Sequence, residues 1–263
     1  MDYSGYTFMA VEVSDGLAVV SLTRPERANA CTRQGHEEFS RILRQLRDDP
    51  AVRVILLTAT GPAFSVGADF EFIDEILDQD EVLAELHGQV RDLVSAHIDM
   101  DKPVISALQG PATGSGLIFA LMADFVIAEE HVRFADGHLR LALVAGDGGT
   151  LIWPLYAGLL KAKRYLLTGD WITAPEAERC GLVTEVVPTG QSQAVGRALA
   201  QRLLGRSDAA MRGTKRALNQ WFRMAAAATF EPAMAAEMVS FRESAADVRA
   251  AAQAIRDKTA ALH

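Results

Sequence analysis

Alternating apolar and polar positions at the beginning of the chain predict two β-strands. The first run extends from Thr7 to Val13 and the second from Leu17 to Thr23, with Ser14-Asp15-Gly16 between them. Because Asp-Gly is a common turn dipeptide and both runs contain β-branched and aromatic residues, we expect a β-hairpin here.

Apolar positions in the following part of the chain alternate between two patterns. Helical spacing predicts helices over residues 33–47 and 70–96, and short apolar runs predict strands over residues 52–58, 103–108 and 124–128. Units of strand, turn and helix therefore recur, and the chain is predicted to fold as an α/β protein.

The pattern changes after Gly149. Strand-like runs become rare there, and Ala-rich helical periodicity fills most of residues 194–262. We therefore predict an α/β core over residues 1–193 and a helical C-terminal region over residues 194–263, which covers the core or packs against a neighbouring subunit.

Composition and charge exclude several classes of protein. The 263 residues are 49% hydrophobic and 23% charged, which is usual for a globular protein with a sizeable core. A net charge of −8 without a long Lys/Arg run argues against nucleic acids and anionic membranes as partners. No apolar stretch approaches the roughly 20 residues of a membrane span, and the segment from Met1 to Gly5 lacks the features of a secretory signal. We therefore expect a cytoplasmic protein.

Cysteines and histidines give no sign of a metal site. Cys31 and Cys180 are the only cysteines, and they form no CxxC or Cys/His cluster. The six histidines show no HExxH or similar spacing. The sequence therefore predicts neither a bound metal nor a disulfide framework.

One imidazole and one carboxylate lie at the two ends of an otherwise mostly apolar stretch, from His138 to Asp147. Burying titratable groups is costly unless they are paired or used, and apolar surroundings shift the pKa values of catalytic acids and bases. His138 and Asp147 are therefore candidates for acid–base catalysis. The alternative is structural, because a lone His is usually a satisfied core residue and Asp147-Gly148 is a common turn pair.

A glycine-rich turn from Gly110 to Gly116 follows one predicted strand and precedes a predicted helix. Backbone N–H groups gather at such a helix N-terminus and can hold an oxyanion. The turn could also be a dinucleotide-binding motif, G-x-G-x-x-G. Phe119 occupies the position of the third glycine of that motif, which disfavours this interpretation. A tight turn that permits close packing is the preferred structural alternative.

Another turn, from Ala63 to Gly67, looks like a loose nucleophile elbow with Ser65 as the attacking group. The triad order of that fold needs a histidine after its acid. His263 is the only histidine after Asp147, so a serine hydrolase of this type is disfavoured.

Taken together, the turns Phe64–Phe70 and Gly110–Gly116 resemble the paired oxyanion-hole segments of the crotonase superfamily, which contains the enoyl-CoA hydratases and isomerases. The segment Arg24–Ala30 is similar to the CoA-binding loop of that family. Further landmarks, in the same order along the chain, lie at residues 167–170, 174–177, 181–183 and 214–218. The resemblance covers nearly the whole chain.

The resemblance implies a spiral of ββα units with a helical C-terminal region used for trimerisation, as a homotrimer or a dimer of trimers. It implies an acyl-CoA substrate, with CoA as part of the substrate and no separate cofactor. The thioester oxygen would accept hydrogen bonds from the backbone N–H groups of Ala68 and Ser115, each donor contributing about 3 kcal/mol when well aimed. The residues implied to bind CoA are Arg24, Arg27, Ala28, Ala68, Asp69 and Lys215.

The sequence also departs from the hydratases of the family. Their two catalytic glutamates correspond to Ile118 and His138 here, and an isoleucine cannot transfer a proton. Asp147 falls where several members that are not hydratases place a working aspartate. The pair His138 and Asp147 resembles that of the C–C bond hydrolases of the family, such as oxocamphor hydrolase and β-diketone hydrolase, which also have a helical glutamate at the position of Glu237.

Three hypotheses follow. The first is an acyl-CoA enzyme of the hydratase/isomerase group, which uses the pair His138 and Asp147 for proton transfer beside an enolate, with Glu237 as a further candidate catalytic residue. The second is a CoA-independent retro-Claisen hydrolase of β-diketones. The third is a crotonase-like protein that binds acyl-CoA without turnover, which the loss of both glutamates allows.

Overall fold

The computed structural model describes residues 1–260, so the last three residues of the predicted helical region, with His263, lie outside the described residues. The strands of the described chain are β1 (Met9–Ser14), β2 (Leu17–Leu22), β3 (Val54–Ala59), β4 (Val104–Leu108), β5 (Ala112–Thr113), β6 (Phe125–Glu129), β7 (Arg133–Ala135), β8 (Ile172–Thr173) and β9 (Glu185–Val187).

The helices of the described chain are α1 (Arg33–Asp48), α2 (Phe70–Asp78), α3 (Asp80–Asp99), α4 (Gly114–Leu121), α5 (Gly149–Ala157), α6 (Leu159–Thr168), α7 (Ala174–Cys180), α8 (Ser192–Leu204), α9 (Asp208–Glu243) and α10 (Ala245–Ala260). Short 3₁₀ helices lie at Pro25–Arg27 and His138–Leu141. None of these helices combines the length and the apolar character that a membrane span needs.

A six-stranded sheet with the order β1-β2-β3-β4-β6-β9 lies at the centre of the fold. The predicted hairpin is confirmed, because β1 and β2 pair antiparallel from Met9 opposite Leu22 to Ser14 opposite Leu17. The remaining neighbours pair in parallel. A parallel sheet needs cover on both faces, which explains why every residue of β3 and β4 is buried. The α/β class is therefore confirmed.

The two faces of the sheet are covered by different helices. Ile55 and Leu57 belong to the larger core that includes Phe39 of α1. Val54 and Leu56 point to the opposite face, where they pack with Ala200 of α8. A second, three-stranded sheet has the order β5-β7-β8. The predicted division between residues 193 and 194 stays a prediction.

The helix predicted over residues 70–96 is two helices. Gln79 has φ −133° and ψ 115°, which ends α2 and begins α3 at Asp80. Asp80 and Glu81 lie in the first turn of α3, where their negative charges are favoured by the helix dipole. The apolar spacing continues across the break, so periodicity alone did not reveal it.

Candidate active site

The turns after β3 and β4 are held against each other by hydrogen bonds. The N–H of Thr113 donates to the carbonyl oxygen of Ser65 at 2.9 Å, and the Thr113 hydroxyl donates to that of Val66 at 2.7 Å. Gly67 has φ +86°, and a Cβ there would lie 3.1 Å from the Thr113 carbonyl oxygen. Glycine is therefore required for the close approach of the two turns.

Two backbone N–H groups of these turns border one cavity. The N–H of Cys31 donates to the Gly67 carbonyl oxygen at 2.7 Å, and the N–H of Asp69 donates to the Cys31 carbonyl oxygen at 2.8 Å. These two bonds form a parallel β-bridge, in which the N–H of the intervening residue Ala68 points away from Cys31. Ser115 lies in the first turn of α4, where N–H groups have no acceptor within the helix. Ala68 and Ser115 both line the cavity. They can thus act as paired donors to an oxyanion.

Ser65 has a structural environment. Its fully buried hydroxyl donates to the carbonyl oxygen of Asn29 at 2.8 Å. A Cβ on Gly116 would lie 2.2 Å from the Ser65 Oγ, so this glycine allows α4 to pack on the serine. These contacts support the close-packing interpretation of the turn Gly110–Gly116 and give Ser65 no free path to a substrate.

The cavity has a volume of about 640 Å³ and is open to solvent on one side. Most of its wall is apolar, and α2, α3 and the C-terminal helices contribute Phe72, Ile73, Leu86, Val90 and Phe241 to it. A mostly apolar cavity with a few convergent polar groups is the usual form of a small-molecule site.

The polar groups of the cavity converge on His138. Its Nδ1 lies 2.7 Å from Oδ1 of Asp136, and its Nε2 lies 3.4 Å from Oδ2 of Asp147 and 3.7 Å from Oε1 of Glu237. All four side chains are buried, and His138, Asp147 and Glu237 line the cavity. The structure therefore brings together the three residues that the sequence analysis proposed as catalytic.

The neighbouring carboxylates determine the protonation of His138. Burial lowers the pKa of the imidazole, but the charges of Asp147 and Asp136 outweigh burial and hold that pKa well above its usual value. Burial raises the pKa of Asp136, whereas the positive charge and hydrogen bonds of His138 bring it below the usual range. A positively charged imidazole beside an ionised Asp136 is the consequence.

The surroundings of Glu237 favour its protonated form. Burial raises its pKa, and the carboxylates of Asp147 and Asp136 add to that effect against the opposing charge of His138, so that the pKa is about 8. A protonated carboxyl can donate a proton, and Oδ1 of Asp147 has no hydrogen-bond partner among the described residues. The cavity thus presents a proton donor and a proton acceptor side by side.

Tight packing fixes Asp147 and Glu237 relative to each other. A Cβ on Gly146 would lie 2.5 Å from the Ala233 carbonyl oxygen and 2.7 Å from Oε2 of Glu237, so the loop before Asp147 lies directly on α9. Ile118 of α4 contacts the same loop, because a Cβ on Gly148 would lie 3.1 Å from its Cγ2. An aliphatic side chain therefore stands close to the cluster where the family resemblance would place a glutamate.

The residues proposed to bind CoA fall into two groups. Arg27, Ala28, Ala68 and Asp69 line the cavity, and the guanidinium of Arg27 is largely exposed, with Glu71 at 3.8 Å. Asp69 also caps α2 by accepting the N–H of Glu71. These residues are therefore placed to contact a ligand in the cavity.

Arg24 and Lys215 are not part of the cavity wall. The Arg24 guanidinium donates to the Ala30 carbonyl oxygen at 2.8 Å and lies 3.7 Å from Asp69. Lys215 is buried in α9, where its Nζ contacts Oδ2 of Asp124 at 2.5 Å. Within one chain, both cations are thus engaged by other groups of the protein.

The thiols take no part in this site. Burial holds the pKa of Cys31 well above its usual value and raises that of Cys180. Neither residue lines the cavity, and in the described part of the chain no group of three or more His, Cys, Asp or Glu side chains is arranged to hold a metal ion.

Sequence reasoning missed two residues of the site, Asp136 and His36. Asp136 precedes Gly137, and such a pair usually indicates only a turn. His36 lines the cavity from the first turn of α1, where it is one polar residue in an amphipathic helix. The short spacing from Asp136 to His138 was the one available signal.

Comparisons with known proteins agree with this architecture. A sequence model of a family described as enoyl-CoA hydratase/isomerase matches residues 12–260. The chain is 33% identical over 217 residues to the crotonyl-CoA hydratase of Syntrophomonas wolfei, a match that covers 82% of each protein. The crystal structure of an enoyl-CoA hydratase/isomerase from Mycobacterium paratuberculosis superposes with a TM-score of 0.91 at 33% identity, over 95% of this chain and 99% of that chain.

The fold also extends to a more distant structure. A β-diketone hydrolase from the cyanobacterium Anabaena, solved with (S)-3-oxocyclohexyl acetic acid, superposes with a TM-score of 0.85 at 24% identity, over 92% of this chain and 96% of that chain. At that identity the likeness concerns the fold. Together these matches confirm the predicted crotonase-like α/β fold.

Proposed function

This chain belongs to the enoyl-CoA hydratase/isomerase family, and from that premise we propose that it is an enzyme acting on acyl-CoA thioesters. The thioester oxygen accepts hydrogen bonds from the N–H groups of Ala68 and Ser115. Proton transfer is carried out by His138, Asp147 and Glu237 instead of by two glutamates.

One observation carries this proposal: Ala68 and Ser115 line the same cavity as His138, Asp147 and Glu237. Asp147 accepts a proton from the carbon next to the thioester carbonyl, and the electron pair moves onto the carbonyl oxygen to form an enolate. The protonated carboxyl of Glu237 then delivers a proton to another carbon of the conjugated system. The net change is movement of a double bond.

The contribution of each group to the rate can be given an approximate size. A well-aimed oxyanion-hole donor contributes about 3 kcal/mol to transition-state stabilisation. A positioned acid or base contributes a factor of about 10²–10⁴ in rate. His138 contributes its positive charge, which stabilises the developing enolate.

Hydration by two glutamates does not fit this cavity. Ile118 is almost fully buried beside Gly148 and brings no titratable group to the cluster. Isomerisation needs only an acceptor and a donor, which Asp147 and Glu237 supply. We therefore favour isomerase-type chemistry over addition of water across a double bond.

A second candidate is hydrolysis of a carbon–carbon bond in a β-dicarbonyl compound. The contacts of both imidazole nitrogens of His138 with carboxyl groups favour it, because such a cluster can activate water. Water adds its oxygen to a ketone carbon and gives its proton to Asp147. The bond to the neighbouring carbon then breaks, its electrons form an enolate held by Ala68 and Ser115, and Glu237 protonates the enolate carbon.

A panel of substrates tests these functions. Crotonyl-CoA, a 3-enoyl-CoA, a 3-oxoacyl-CoA and a cyclic 1,3-diketone are assayed with the unmodified protein, His138→Ala and Asp147→Asn. We expect conversion of the 3-enoyl-CoA, and a loss of at least about tenfold in both variants. Turnover of the diketone alone establishes the second candidate, and binding of thioesters without any turnover establishes a non-catalytic binding protein.

A further inference from the structure

His36 is a buried histidine of the cavity wall that the proposed mechanism does not use. It lies in the first turn of α1, is 6% exposed and lines the same cavity as the His138 cluster. Its ring packs against Phe72 of α2, with a centroid separation of 5.2 Å. The side chain thus stands between two helices, facing the space that holds the substrate.

The hydrogen bonding of the His36 imidazole is incomplete at one nitrogen. Its Nε2 is buried and has no hydrogen-bond partner among the residues that the structure describes. A buried polar atom without a partner is costly, so each one calls for an explanation such as a catalytic role or a bound water or ion. A ligand in the cavity can supply the missing partner.

His36 also differs from His138 in charge. Burial lowers the pKa of His36 to about 4, although the negative charge of Asp147 acts in the opposite direction. A neutral imidazole has one N–H donor and one acceptor nitrogen, so it suits an uncharged carbonyl or hydroxyl group. Apolar residues such as Ile73 and Val90 form much of the remaining wall.

We propose that His36 determines substrate specificity by hydrogen bonding to a second oxygen, a keto or hydroxyl group, on the acyl part of the substrate. The substrate class is then an oxygenated acyl group and not a plain hydrocarbon chain. This inference deepens the proposed function and relies on it for the thioester.

Two pairs of ligands that differ only in this oxygen test the proposal. The first pair is acetoacetyl-CoA and butyryl-CoA, measured in the Asp147→Asn background so that turnover is slowed during the titration. The second is 3-oxocyclohexylacetate and cyclohexylacetate, measured with the otherwise unmodified protein. Isothermal titration gives the Kd of each ligand with and without the substitution His36→Leu.

A second buried histidine provides the matched control. His97 also has an unpartnered Nε2, and burial lowers its pKa to about 3, but it packs against Phe119 and does not line the cavity. His97→Leu therefore removes a comparable side chain without touching the ligand. If His36→Leu does not fold, as judged by circular dichroism, His36→Met takes its place because methionine adapts to the same space.

We expect the oxygenated member of at least one pair to bind about tenfold or more tightly than its hydrocarbon partner. His36→Leu should bring that ratio within about threefold, and His97→Leu should leave it unchanged. The absence of any preference, or a preference that survives His36→Leu, overturns the proposal. A preference dependent on His36 in the ring pair alone, without binding of CoA thioesters, supports the role of His36 and contradicts the thioester function.

Discussion

The Nδ1 atom of His138 lies 2.7 Å from Oδ1 of Asp136, and the same oxygen also accepts the backbone N–H of His138 at 3.1 Å. Asp136 does not line the cavity, whereas the Nε2 side of His138 faces Asp147 and Glu237. Asp136 is therefore a positioning residue, which fixes the orientation of the imidazole and stabilises its positive charge.

Replacing Asp136 by asparagine removes one negative charge next to His138 and keeps the size of the side chain. We expect the pKa of His138 to fall, because the charged imidazole loses one of the carboxylates that stabilise it. Titration of the His138 Cε1 proton by NMR measures this change, and kcat for a turned-over thioester should fall at least about tenfold.

The control for this experiment is Asp92→Asn, which removes an exposed carboxylate paired with Arg44 on the surface. It should change neither the His138 titration nor kcat. An unchanged His138 pKa in Asp136→Asn would show that the short contact does not stabilise the imidazolium.

Glu237→Gln tests the protonation of the buried glutamate through protein stability. Its folded-state pKa of about 8 is above the value in an unfolded chain, which is about 4.3. As the pH rises between these values, unfolding releases a proton from Glu237, so the unmodified protein loses a contribution to stability that the glutamine variant lacks at every pH. Relative to the variant, the unmodified protein should therefore be most stable below about pH 4, and the difference should level off above pH 8.

Urea denaturation at pH 5, 7 and 9 measures this difference. Glu231→Gln on the same helix serves as the reference, because Glu231 is exposed and pairs with Arg91. A difference between Glu237→Gln and the unmodified protein that is the same at all three pH values contradicts a raised pKa.

Two substitutions at Ser115 separate its backbone from its side chain. Ser115→Pro removes the N–H, and the first turn of a helix tolerates proline because N–H groups there have no helical partner. Loss of one oxyanion-hole donor lowers kcat by about 10²–10³. Ser115→Ala keeps the N–H and should retain most of the activity. If both variants are folded by circular dichroism and have equal rates, the Ser115 N–H is not a donor of the oxyanion hole.

Local patterns predicted the fold well because the elements concerned carry their own signals. The hairpin β1-β2 has alternation and a turn dipeptide, and α1 has a regular apolar face that begins where predicted, at Arg33. The break at Gln79 was missed, since neither glycine nor proline marks it. The small strands β5, β7, β8 and β9 are two or three residues long and owe their pairing to the surrounding chain.

Long-range packing explains what the sequence did not reveal about the site. Only the family resemblance singled out Glu237, because its burial depends on how α9 lies across the loop of Gly146 and no local pattern marks it. No sequence pattern pointed to His36, because only the folded chain brings α1 to the cavity that the His138 cluster lines. For Lys215, the family resemblance placed a ligand residue where the single chain has an internal ion pair with Asp124.

Gly146→Ala tests whether the packing of the Gly146 loop on α9 keeps Glu237, the proton donor, next to Asp147, the proton acceptor. The added Cβ would lie 2.5 Å from the Ala233 carbonyl oxygen, a backbone atom that cannot move without shifting α9. Overpacking of this kind costs about 1–3 kcal/mol, and the shift should move Glu237 away from Asp147. We expect a lower Tm together with a fall in kcat larger than the change in KM. Gly205→Ala is the control, because Gly205 lies away from the cavity with φ −74°, and a Cβ there would lie 3.6 Å from the nearest atom, the Arg202 carbonyl oxygen. If Gly146→Ala keeps both the Tm and the kcat of Gly205→Ala, the loop is not what fixes Asp147 against Glu237.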